Sequence, residues 1–179
     1  MHATKPSQSG ITLVELLVVV ALLAVSLAAA APAYRVMIDT NRLSAGVNAF
    51  SGSLQLARSE AVRRGQRVTL CVSDDGKSCS STGGWHRGWI VFHDPDGNAQ
   101  RDSSEALIQA QAALQFLSIR GNQPVARYVS YTEHGWPRLV SGALQMGTLA
   151  FCMPGIAGHS LILSSAGRAR LNGAACSSV

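Results

Sequence analysis

The chain has 179 residues, of which 47% are hydrophobic and only 14% charged, and its formal charge is +5. That length fits one domain plus an appendage, and so little charge together with 17 Gly points to a membrane element or to a β-rich, loop-rich domain. The pass along the chain shows no internal repeat and no disordered linker. The positive charge comes from 13 Arg and two Lys, Lys5 and Lys77. Arg suits planar, bidentate contacts to phosphate, although an Arg-rich codon preference yields the same composition.

Residues 1–10 are polar and contain Lys5 and Pro6. From Ile11 to Ala31 the chain is an almost unbroken apolar run of 21 residues, against the roughly 20 that span a bilayer core as a helix. The run is too long for the core of a secretory signal and lacks a small-x-small cleavage site followed by polar chain. A lone Lys before it, with no early acidic residue, predicts a cytoplasmic N-terminus. Glu15 breaks the run. A carboxylate at membrane depth costs about 3 kcal/mol unless it is paired, so it marks function. Cleavage after Gly10 would create a partner, the α-amine of Ile11, which a neighbouring subunit could supply. Glu15 therefore reads as an assembly residue.

Gly10 followed by Ile11-Thr12-Leu13-Val14-Glu15-Leu16-Leu17-Val18-Val19-Val20 resembles the start of type IV pilins. The resemblance implies cleavage between Gly10 and Ile11 by a prepilin peptidase, with N-methylation of Ile11. Ile11 stands where Phe is usual. The implied division is a cleaved leader over 1–10, a transmembrane helix over 11–31, and a periplasmic or extracellular globular domain over 32–179. The protein would sit in the inner membrane with a single pass before it enters a pilus.

Pro32 should end or kink the first helical run. Leu43, Val47, Phe50, Leu54, Ala57 and Ala61 then recur at helical spacing, one apolar stripe on an amphipathic helix reaching about residue 64. Gly65 is its expected C-cap. The remainder reads as strands: 67–73, a turn at Asp74-Asp75-Gly76-Lys77, then 88–93, 106–112, 114–119, 125–132, 148–153, 160–164 and 168–172. The fold class expected is α+β, a pilin fold with a long N-terminal helix packed on antiparallel sheet.

Four cysteines allow three pairings. The most local is preferred, Cys71 with Cys79 and Cys152 with Cys176, the first stapling a hairpin. A zinc site needs close Cys/His pairs such as C-x2-C, and no such pair occurs. Within the pilins, the segments Gln55-Leu56-Ala57-Arg58-Ser59-Glu60-Ala61, Arg67-Val68-Thr69-Leu70-Cys71 and Gly88-Trp89-Ile90-Val91-Phe92, followed by Asp94-Pro95-Asp96-Gly97-Asn98, are similar to the GspH/FimT group of minor pilins and pseudopilins.

Ser165-Ala166-Gly167-Arg168-Ala169-Arg170 carries the first candidate chemistry. Arg168 and Arg170, two apart on a strand, share a face, and Gly167 permits a tight turn or a close backbone approach. Paired guanidinia suit phosphate, and no acidic residue follows Glu133. The arrangement also resembles the C-terminal motif of the FimT proteins of that group, which implies contact with double-stranded DNA during natural transformation. Arg120, Arg127 and Arg138 are weaker candidates for the same patch. Such binding should be salt-sensitive and indifferent to sequence.

Asp94, Asp96, Asn98, Asp102 and Glu105 fall at positions 1, 3, 5, 9 and 12 of a calcium-loop template, but Ala99 replaces its Gly and Arg101 sits inside it. A polar hairpin turn is the preferred reading, with no cofactor. The histidines are scattered and no nucleophile motif appears, so no enzyme is expected. Trp85, Trp89 and Trp136 read as core or strand residues before base-stacking ones. The leading expectation is a DNA-binding minor pilin whose other partners are pilins or pseudopilins. The alternative is a structural minor pilin that primes assembly, or a pseudopilin of type II secretion.

Overall fold

The computed structural model describes residue 10 and residues 12–176, so Ile11 and the leader before Gly10 lie outside the described residues. The chain divides into two compact units, Met1–Ile38 and Asp39–Val179. One helix, α1 (Leu13–Arg64), contributes to both. Pro32 lies inside α1, and the expected long helix runs through it. Its missing N–H removes one helical hydrogen bond, a loss that apolar membrane helices tolerate. In the first unit α1 exposes Leu13, Leu16, Leu17, Leu22 and Leu23, and its mean hydropathy reaches 2.7 over 18 residues, enough to cross a membrane.

In the second unit the apolar stripe is buried in full: Leu43, Val47, Phe50, Leu54, Ala57 and Ala61 are each at most 2% exposed. The helix stops in a Schellman motif. Gly65 takes φ 63°, the Gln66 N–H donates to the Ala61 carbonyl at 3.3 Å, and the Gly65 N–H to that of Val62 at 3.4 Å.

Eight antiparallel strands follow: β1 (Val68–Val72), β2 (Trp89–His93), β3 (Leu107–Gln111), β4 (Ser118–Gly121), β5 (Tyr128–Tyr131), β6 (Gly147–Cys152), β7 (Gly158–Leu163) and β8 (Ala169–Ala174). They form two sheets, ordered β3-β2-β1-β5 and β4-β6-β7-β8. Val68, Leu70, Val91 and Val129 of the first sheet and Ile119, Leu149, Phe151, Leu161 and Leu163 of the second share one core with the α1 stripe. Phe50 sits at its centre, with edge contacts to Trp85, Trp89 and Phe151 at centroid distances of 5.0, 5.2 and 5.7 Å.

Strands expected at 114–119 and 125–132 begin later than the apolar pattern suggested. Leu114 to Leu117 is a turn, closed by the Leu117 N–H on the Leu114 carbonyl, and it lays Leu117 against Gly46 of α1. Val125 ends a short 3-10 turn containing Pro124. In both places apolar side chains reach the core from turns, which period alone cannot distinguish from strand. Both disulfides pair as preferred, Cys71–Cys79 and Cys152–Cys176. The first covers the outer face of β1 and β2, where Cys71, Ile90 and Phe92 form a second small core.

Candidate functional site

The β7–β8 turn builds the C-terminal arginine site. The Gly167 N–H donates to the Ser164 carbonyl at 2.9 Å, and Ser164 and Arg168 then exchange backbone bonds through the Ser164 N–H (3.0 Å) and the Ser164 hydroxyl. Gly167 is needed here twice over. Its φ is 77°, and a Cβ would lie 2.7 Å from the Gly135 carbonyl oxygen and 3.1 Å from Tyr131 Cε1. Arg168 precedes the strand and Arg170 lies within it. Register sets Arg170 opposite Ile162, between the core-facing Leu161 and Leu163. Arg170, and Arg168 two residues before it, thus occupy the face turned away from the core. Both are exposed, and neither has an ion-pair or hydrogen-bond partner for its guanidinium among the described residues.

A third arginine joins them from 109 residues earlier in the chain: Arg58 Nη1 of α1 donates to the Gly167 carbonyl at 3.4 Å. Arg58, Gln55, Tyr131, Gly167 and Arg168 line a cavity of about 360 Å³ that has no carboxylate in its wall. Burial raises the Tyr131 phenol above its ordinary range, and the Arg58 charge opposes that shift. Arg58 is not one of the stripe residues of α1, and only the tertiary fold links it to residue 167.

The loop after β5 closes the other side. Its Pro137 Cδ would lie 3.3 Å from a Cβ on Gly167. Trp136 is 50% exposed, and the Arg138 guanidinium stands 6.0 Å from its ring centroid. Trp85 and Trp89 are fully buried and donate to the Val125 carbonyl and the Ser53 hydroxyl, each at 2.9 Å. Of the three tryptophans only Trp136 is open to a base.

Arg138 therefore adjoins the Gly167 turn, whereas Arg120 and Arg127 do not. Arg120 lies on β4, at the opposite edge of the sheet from β8, three strand spacings or about 14 Å away. It pairs with Ala150, which pairs with Ser160, which pairs with Asn172, so it shares the outward face of Arg170 without touching the turn. Arg127 precedes β5 in the other sheet, and its Nη1 donates to the Ser81 carbonyl.

The acidic loop joins β2 to β3. Asp94, Asp96 and Glu105 bring carboxylate oxygens within 4.8 Å of one another. Asp94 is fully buried, accepting from the Thr69 hydroxyl at 2.5 Å and from the Asn98 and Ala99 N–H groups at 3.1 and 3.3 Å. Asn98 donates to Asp96, and the Asp102 N–H donates to Glu105 Oε2 at 3.0 Å. The Asp102 carboxylate stays outside the cluster. Ala99 adopts φ 58°, the left-handed conformation that the template reserves for Gly. Desolvation is the leading cause that raises the pKa of both Asp94 and Glu105, and neighbouring carboxylates add to it. Apart from the Thr69 bond, which ties the loop to β1, these contacts lie within the loop.

At the N-terminal end Gly10 is exposed. The Glu15 N–H donates to the Thr12 hydroxyl at 3.3 Å, one half of a capping box that starts α1 just after the expected cleavage point. That bond uses the backbone N–H of Glu15, not its carboxylate.

The model of the family "Type II transport protein GspH" matches residues 46–167, and that of the "Prokaryotic N-terminal methylation motif" matches residues 5–31. The first match ends at Gly167, immediately before the two arginines. No curated protein matches the chain. Among solved structures, the type IV minor pilin FimU of Pseudomonas aeruginosa (strain PAO1) is similar with a TM-score of 0.55 and 22% identity over 75% of this chain and 90% of that one. A second crystal form of FimU gives 0.53 and 22%, over 73% and 92%. The minor pseudopilin EpsH from the Type 2 Secretion System of Vibrio cholerae gives 0.49 and 14%, over 74% and 97%. At 22% identity, the likeness to FimU establishes a shared fold.

Proposed function

The chain belongs to the GspH family, and from that premise we propose that it is a minor pilin that binds double-stranded DNA without sequence preference, for uptake in natural transformation. The observation that carries the DNA reading is the β7–β8 turn. It presents two exposed guanidinia on one face, unpartnered among the described residues, and its neighbouring cavity is lined by Arg58 and by no carboxylate. Paired guanidinia take phosphate oxygens in bidentate fashion, and an exposed Trp136 beside Arg138 adds a surface for an unstacked base. Nothing at the site resembles a recognition helix, so contact with the backbone is what it can make. The methylation motif over residues 5–31 supports cleavage between Gly10 and Ile11 and methylation of Ile11 by a prepilin peptidase. It also supports an inner-membrane anchor with the 39–179 unit on the periplasmic side. The reading requires no cofactor.

The test is a titration of double-stranded DNA by the full-length chain in detergent, at several salt concentrations. Arg168→Ala with Arg170→Ala should abolish the low-salt gel shift. In a regime where residual binding is measurable, it should lower the slope of log K against log salt by about 2, one per lost phosphate contact. Undiminished binding by the folded double variant would remove the assigned site.

A second reading has its own support. The family match stops at Gly167, so membership alone describes a structural subunit: a minor pilin that primes assembly, or a pseudopilin of type II secretion. Wild-type protein that binds no DNA at low salt would favour it.

A further inference from the structure

At the free edge of β4 lies a second basic cavity, of about 320 Å³, lined by His86, Arg120 and Arg127 and by Gly83, Gly84 and Gly121. Its wall contains no carboxylate. Three features distinguish it from ordinary basic surface. Arg127 is fixed, because its Nη1 donates to the Ser81 carbonyl while its own carbonyl accepts from the Val72 N–H at 3.0 Å. Arg120 has no hydrogen-bond or ion-pair partner for its side chain among the described residues. The His86 Nδ1 atom is buried without a hydrogen-bond partner among the described residues, which is uncommon for a buried polar atom.

The glycines keep the cavity open and its backbone close. A Cβ on Gly84 would lie 2.9 Å from the Ile119 carbonyl and 3.0 Å from His86 Nδ1, and one on Gly121 would collide with the Val125 carbonyl. Two guanidinia and an imidazole without a counter-charge repel one another until an anion joins them. The fork of N–H donors on each Arg matches a tetrahedral oxyanion.

We propose that this cavity binds one phosphate-type oxyanion, held by Arg120 and Arg127 beside the His86 ring. The anion comes either from free phosphate or from a phosphodiester of DNA. Arg120 shares the outward face of Arg170 across the sheet, so a duplex lying over that face would reach both edges.

Line broadening of inorganic phosphate in 31P NMR, with the full-length chain in detergent at low ionic strength, tests the site. Wild-type protein should bind phosphate saturably. Arg120→Gln should weaken binding about tenfold or more, Arg120→Lys should recover part of it, and Arg168→Ala with Arg170→Ala should leave it unchanged. Saturable binding that is equal in wild type and in Arg120→Gln of native circular dichroism would overturn the proposal, and so would its absence from wild type. The source is then read from DNA titrations. A salt slope lowered by about 1 in Arg120→Gln identifies a DNA phosphate, and an unchanged slope identifies free phosphate. That second arm rests on the DNA-binding reading and the first does not, so the two fail separately.

Discussion

Asp94 and Glu105 occupy places where water is scarce, whereas Glu60 is held by two guanidinia. Desolvation disfavours the charged form of the first two and raises their folded pKa values above the ordinary 3.8 and 4.5. Their contribution to stability is complete below those ordinary values and is lost as pH rises through the raised ones. Glu60 bonds Arg63 Nη2 at 2.6 Å and Arg64 Nε at 2.7 Å, and these bonds lower its pKa from 4.5 to about 2. Its contribution is complete above 4.5 and is lost as pH falls through about 2. Asp75, held by Ser78 and the Lys77 N–H, shifts in the same direction as Glu60. The free energy of unfolding should therefore pass through a maximum at mildly acidic pH and decline toward neutrality, as measured by urea titration across that range. A profile that rises monotonically to pH 7 would contradict the burial of Asp94 and Glu105. At this scale the spacing Asp94–Asp96–Asn98 was legible as a turn with calcium-loop spacing. The assignment of Asp94 to Thr69 was not, because that contact depends on β1 lying beside β2. Ser53 is similar: a polar residue next to the apolar stripe gives no sign that it will accept from Trp89 and bond Gln109 at 3.0 Å.

Strands β6, β7 and β8 owe their arrangement to a covalent tie as well as to ladder bonds. Cys152 ends β6 and Cys176 follows β8, and their bridge spans 24 residues of sequence. Gly158 at the start of β7 makes room for it, since a Cβ there would meet Cys176 Sγ. Closing a loop of that length removes unfolded-state entropy worth about 3 kcal/mol. Cys152→Ser with Cys176→Ser should lower stability by about that amount in denaturant titrations. It should also loosen β8 first, detectable as faster amide exchange over residues 169–174 than over β1 and β2. Equal loosening of both sheets would contradict the assignment of the bridge to the β8 edge. The helix stripe, the Gly65 stop and most strands were legible, because period and turn residues are local signals. The two-sheet order was not, since β1 pairs with β5 past three intervening strands, one of which joins the other sheet, a choice that depends on long-range packing. For the same reason the β7–β8 pair of arginines could be read from the sequence, whereas the arrival of Arg58 beside Gly167 and the separation of Arg120 from it could not.

The buried apolar residues among those described all lie at or after Leu43. The 39–179 unit thus carries its own core. Stability and assembly should accordingly separate by mutation. Glu15 is the residue on which to test this, because it has two candidate tasks. It stands at N3, where its N–H bonds the Thr12 hydroxyl and where a Glu side chain suits a helix start. As a carboxylate at membrane depth, it awaits the amine of a neighbouring subunit. Gln serves a capping box as well as Glu does but carries no charge. If pairing is the task, Glu15→Gln should impair incorporation into pili as severely as Glu15→Val, while leader cleavage persists in both. The unfolding temperature of the 39–179 unit should stay at the wild-type value in both. Normal incorporation of Glu15→Gln with failure of Glu15→Val would assign Glu15 to the helix start alone. A shift in that unfolding temperature would instead show that the two units are energetically joined.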